Sequence, residues 1–174
     1  ARLMLSAWNA DGDGSRAGDD DPASASDEGA SAEDAQWERE QSERTLYRSF
    51  VRVSDPGRAA QSVASLRGVR SMASGSEYAW VRPQRSQDQS GIAPYSPDDV
   101  AFISIEGGTF TVYAESRSTL GMCASLLRKA TAEYAAPQGK PRKPGPMRSD
   151  ERQRVIARID SAAHDAMVEH YRSW

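Results

Sequence analysis

One cysteine, two histidines and no long apolar run remove several functional classes at once. A lone Cys123 permits neither an internal disulfide nor a cysteine-rich zinc site. His164 and His170 are six residues apart, which is not the i, i+4 spacing that places two imidazoles on one helical face for a metal. No apolar stretch is long enough to cross a bilayer. The opening ARLMLSAWNA is apolar but short and runs into acids, the wrong pattern for a signal peptide. Because the first residue is not Met, upstream processing is left open. Cytoplasm or nucleus is the expected compartment, with an organelle also left open.

Hydrophobic residues make up 38% of the 174, a low share for a chain of this length, so about half of it is expected to form a core. The net charge of −3 hides a division. Residues 1–45 hold twelve acidic and four basic residues, net −8, which leaves +5 on the remainder. Within the arm, residues 9–36 are Asp, Gly, Ser and Ala with almost nothing to bury, the composition of a segment disordered in isolation. Asp11, Asp13 and Ser15 imitate the start of a calcium loop, but Arg16 stands where the turn needs glycine and Pro22 where a bidentate Glu belongs. Trp8 and Trp37, the large apolar groups of this polar arm, are expected to dock on a partner.

The most regular stretch is 100–134. VAFISI and TFTVYA alternate in period two around Glu106-Gly107-Gly108, a hairpin pattern. Next, Leu120, Cys123, Ala124, Leu127, Ala130, Thr131 and Tyr134 recur at helical spacing, with Ser116 or Ser118 as cap and Pro137 as stop. Upstream, LYRSFVRV reads as an edge or half-exposed strand, with Tyr47, Val51 and Val53 on one face and Leu46, Arg48, Phe50 and Arg52 on the other. Asp55-Pro56 starts a helix carrying Ala59, Val63 and Leu66, which Gly68 closes. EYAWVR forms a further strand, followed by a polar loop over 83–99. The expected fold is α+β: a small antiparallel sheet with two helices on one face. Residues 1–45 form the acidic arm, 46–136 the α+β domain, 137–148 a basic Pro/Gly linker and 149–174 a C-terminal helix. That last helix, apolar at Val155, Ile156, Ile159, Ala162, Ala163, Ala166 and Met167, either packs on its own domain or crosses to another subunit.

No catalytic, cofactor or metal site is expected. Cys123 lies on an apolar helical face, which makes it a core residue rather than a nucleophile. Gly107-Gly108 lacks the spacing of a phosphate loop. Basic residues offer more. Arg48, Arg52 and Arg82 lie on or beside strands, Arg128 and Lys129 end a helix, and Lys140, Arg142 and Lys143 lie in the linker. Converging, they would contact a phosphate backbone, with interleaved aromatics stacking on bases. The plain alternative is that the aromatics are core or subunit interface.

Residues 46–136 resemble the small dimerising subunit of the KEOPS complex, in the cancer/testis-antigen-related family. The resemblance is carried by element order and by a strand ending in Ala114-Glu115, followed by a helix with Ser118, Thr119, Leu120, Ala124, Ser125, Leu126 and Leu127. Gly121 stands where the family usually has Arg. The resemblance implies a non-enzymatic subunit that dimerises and docks through its helices on the catalytic subunit making threonylcarbamoyl-adenosine in tRNA. By that analogy Val63, Leu66, Leu120, Leu127 and Tyr134 form the docking surface, joined by Trp8 and Trp37 of the arm. The leading expectation is therefore a non-catalytic assembly subunit, self-associating or hetero-oligomeric and contacting other proteins. The alternative is a nucleic-acid-binding or ribosome-associated structural protein of a large ribonucleoprotein or viral assembly.

Overall fold

A computed structural model describes residues 43–72, 74–83, 95–137 and 145–173. Period-two alternation and glycine turns produce five strands: β1 (Tyr47–Arg52), β2 (Val69–Ser71), β3 (Glu77–Val81), β4 (Val100–Glu106) and β5 (Thr109–Ala114). They form one antiparallel sheet in the order β1-β5-β4-β3-β2. The β4–β5 turn places Gly107 at φ 53 and Gly108 at φ 78, the left-handed pair that a two-residue hairpin demands. Val51 faces Phe110 and Ile103 faces Val112 across the ladders, which fixes the register of the central strands.

Helix α1 (Pro56–Ala64) starts where expected. Asp55 accepts from the Arg58 amide, and Pro56 supplies the first turn. Helix α2 (Arg117–Ala130) is capped by Ser116 through the Thr119 amide. It ends before Pro137, because the Thr131 hydroxyl donates to the Leu127 carbonyl and the chain tightens into a 3-10 turn at Ala132–Tyr134. Tyr134 therefore lies beyond the α-helix, which was expected to include it. Both helices cover one face, closing a core of Val51, Val53, Ala59, Val63, Tyr78, Trp80, Ile103, Phe110, Val112, Cys123 and Leu127.

The opposite face is covered as well. Helix α3 (Ser149–Arg172) lays Val155, Ile159, Ala162, Ala163 and Ala166 on Ala79, Val81, Val100, Phe102 and Tyr113. Of the two expected fates of this helix, packing on its own sheet is the one observed. The basic linker between the domain and α3 contributes no described residues from 138 to 144. Strand β2 was not anticipated. Gly68 at φ 84 turns the chain into it, and a Cβ there would stand 2.6 Å from the Val81 carbonyl oxygen. No helix among the described residues is long and apolar enough to cross a membrane.

Candidate docking edge

Two strands end the sheet, and they differ. β2 is three residues long. β1 is six, and only part of its outer edge is occupied among the described residues. Ala136 donates its amide to the Arg52 carbonyl, and Ser54 donates to the Tyr134 carbonyl, with an isolated bridge between Val53 and Ala135. Val53, by contrast, donates inward to Gly108. Alternation then fixes the remaining positions: the backbone amides and carbonyls of Arg48 and Phe50 point away from β5. Between the start of β1 and Arg52 the outward backbone groups of the ladder have no backbone partner among the described residues.

The side chains around that ladder are basic and aromatic. Phe50 is 39% exposed, one of three exposed large hydrophobics among the described residues. Arg48 lies over its ring at 5.6 Å, donates to the Gly145 carbonyl and stands 4.0 Å from Glu151. Arg52 is exposed on the same face. From the other face, α2 sends Arg117 over the Tyr47 ring at 4.9 Å and Arg128 to the Ser49 hydroxyl at 3.5 Å. These two arginines are eleven residues apart, three helical turns, so they share one side of α2. Arg52, Arg117 and Arg128 make no ion pair among the described residues.

The entry to β1 is clamped. Arg44 donates to both carboxylate oxygens of Glu115 and reaches Asp160 of α3 at 2.7 and 2.9 Å. Hydrogen bonds to Glu115, then to Asp160, hold its guanidinium above its ordinary pKa. Nearby, the Tyr113 hydroxyl donates to Glu151 at 2.6 Å; burial first, then that bond, pushes the phenol up. These contacts fix where the chain leaves the acidic arm and where α3 begins, so β1 is held at its first residues by buried and half-buried charge rather than by apolar contacts alone.

At the other end of the sheet a cleft of about 530 Å³ lies between β2 and α3, lined by Arg70, Met72, Arg158, Asp165, Glu169 and Arg172 among others. Its charges are largely matched. Arg70 pairs with Glu169 at 2.7 Å. Arg158 stands 3.3 Å from buried Glu77, close enough for ion pairing but outside the alignment of a hydrogen bond.

The expected site residues divide into three groups. Val63 and Leu127, expected to dock a partner, are 0% and 1% exposed inside the molecule's own core. Leu66, Leu120 and Tyr134 pack against that core and are partly buried. The reading of these helix faces as a partner surface gives way for Val63 and Leu127, because the sheet itself consumes their apolar contact area. Arg48, Arg52 and Arg128 do converge, around β1; Lys129 is exposed beside Arg128. Arg82 follows β3, three strands from β1 and so about 14 Å across the sheet. Trp8, Trp37, Lys140, Arg142 and Lys143 lie outside the described residues. Phe50 and Arg117 join this group without having been among the expected site residues. The period-two run Arg48-Ser-Phe50-Val-Arg52 was the available signal.

Cys123 is 1% exposed, and burial pushes its thiol up to about 12. It lies in the α1–α2 layer, while His164 belongs to α3 on the opposite side of the sheet, so the two cannot act as a pair. Among the described residues no group of three or more His, Cys, Asp or Glu is arranged to hold a metal. No family model, curated protein or solved structure matches this chain.

Proposed function

We propose that the protein is a non-catalytic assembly subunit that works by contact with other proteins. The observation that carries this reading is the stretch of β1 where backbone groups without a partner among the described residues, an exposed phenylalanine and arginines lie side by side. An unpaired ladder is a template for another chain, and a monomer has reason to cover or blunt it. The reading differs from the helix-face docking implied by the KEOPS-family resemblance, since the deepest residues of those faces are occupied. Dimerisation and support of tRNA threonylcarbamoyl-adenosine modification are the finer form of the proposal. They rest on the residues of 46–136 that carry the resemblance, above all Ala114-Glu115 and the Leu-rich helix after them.

A second reading has its own observation. Arg52, Arg117 and Arg128 make no ion pair among the described residues and lie around one edge, with Lys129 exposed beside them, and such a cluster suits a phosphate backbone in a ribonucleoprotein. The two readings separate by size measurement and affinity capture on the full chain. A protein-contact subunit elutes in a stoichiometric complex that survives nuclease and high salt. A backbone-driven complex falls apart under both. A monomer that captures no stoichiometric partner overturns the assembly reading.

A further inference from the structure

We infer that the partner's contacting segment is an extended, acidic peptide strand that adds to β1 alongside Arg48 and Phe50. The inference rests on the assembly reading above and names the chemistry of its partner. Backbone geometry comes first. Arg48 and Phe50 each present an outward amide and carbonyl with no backbone partner among the described residues, and on one side the bonds Ala136 N–H to the Arg52 carbonyl and Ser54 N–H to the Tyr134 carbonyl end this ladder. A short strand can therefore pair there in register, its main chain supplying affinity and its alternate side chains specificity.

Charge comes second. A strand added at this edge turns alternate side chains to the two faces of the sheet. On the α2 face they meet Arg117 and Arg128, which have no carboxylate partner among the described residues. On the α3 face they meet Phe50 and, beyond it, Arg52. The complementary sequence carries Asp or Glu on one face and an apolar residue opposite Phe50 on the other. Charge-assisted bonds from a guanidinium to a carboxylate are the stronger class, and they would set the register as well as the sign.

Two other occupants fit less well. A second copy, paired antiparallel about Phe50, sets Arg48 against the partner's Arg52, a like-charge cross-strand pair. It also competes with Ala136 for the Arg52 carbonyl. The low-complexity stretch of the chain's own acidic arm has the charge but not the strand formers: residues 9–36 contain no Val, Ile, Thr, Tyr, Phe or Trp. A phosphate backbone would use the arginines and ignore the ladder.

The ladder supplies the test. Fluorescence anisotropy on the full chain would use three probes: a labelled peptide alternating Glu and Val, the same peptide N-methylated at alternate amides, and oligouridylate. The alternating peptide should bind. N-methylation should weaken it at least about tenfold, because the added methyl groups remove the main-chain donors. Arg128→Glu should weaken it by a similar factor, and Phe50→Pro more than Phe50→Ala, since only proline also removes the outward amide. Circular dichroism confirms that each variant is folded, and the N-methylated probe leaves the protein unchanged. Equal binding of the methylated and parent peptides overturns the proposal, as does binding of oligouridylate without the peptide. So does no peptide binding up to about 1 mM; the arginines then guard the edge against pairing. A stoichiometric partner retained by Arg128→Glu and Phe50→Pro would refute this inference while leaving the assembly reading standing. Absence of any partner would remove the assembly reading itself.

Discussion

Truncating Ile159 to alanine tests whether α3 is an intrinsic layer of this domain. Ile159 is fully buried among Val81, Val100 and Phe102. The substitution deletes three carbons, about 2.4 kcal/mol at roughly 0.8 kcal/mol per buried methylene, and a partly collapsed cavity adds about 1 kcal/mol. A loss of about 3.5 kcal/mol is a large share of the roughly 5–15 kcal/mol that holds such a domain. With a urea slope of about 2 kcal/mol per molar, the midpoint should fall by about 1.7 M. The assay is urea unfolding of the full chain by circular dichroism, with Ala157→Ser on the exposed side of α3 as control, expected within about 0.5 kcal/mol. Protein concentration is the second variable. A helix seated on its own sheet gives a midpoint independent of concentration, whereas one exchanged between subunits gives a midpoint that rises with it. An unchanged midpoint in the Ile159 variant, or a concentration-dependent one in the parent, would refute the two-faced sheet.

Two further expectations follow from single residues. Gly68→Ala combines a left-handed backbone at φ 84 with a Cβ 2.6 Å from the Val81 carbonyl; it should cost roughly 1–3 kcal/mol in the same unfolding assay, and a neutral result would mean that β2 is not held at this turn. Cys123 ionises near 12 in the folded chain against an ordinary value near 9.0, because its thiol is buried. The folded state thus keeps the proton that the unfolded chain releases, so this group's stabilisation is full below pH 9 and lost as pH rises toward 12. Cys123→Ala should flatten that alkaline decline, and native protein at pH 9 should alkylate far more slowly than urea-unfolded protein; equal alkylation rates would show the thiol accessible.

Much of this architecture could be read from local pattern. The hairpin, its glycine pair, the Asp55-Pro56 start and the Ser116 cap all depend on neighbours in sequence, and each lies where that pattern puts it. β2 was illegible because Val69-Arg70-Ser71 has one apolar residue, and its strand state is imposed by pairing with β3. The second covered face left a trace that went unused. Tyr78 and Trp80 face one layer while Ala79 and Val81 face the other, and a strand apolar on both sides is buried on both sides. What periodicity could not say is which surface α3 would choose, because the tether before it carries no pattern. The candidate docking edge was half legible. Arg48 and Arg52 alternate visibly, but Arg117 and Arg128 join them only because α2 packs over β1, a tertiary fact.

The order of the sheet also sets an order of events. β2 through β5 follow one another as a meander, each paired with the next, but β1 pairs with β5, so Tyr47 cannot meet Ala114 until β5 has been made. During synthesis β1 emerges first and waits longest, an unpaired strand carrying Arg48 and Arg52 through the interval when edge-to-edge aggregation is most dangerous. The same charges that frame its outer edge in the finished protein protect both of its edges before the sheet closes.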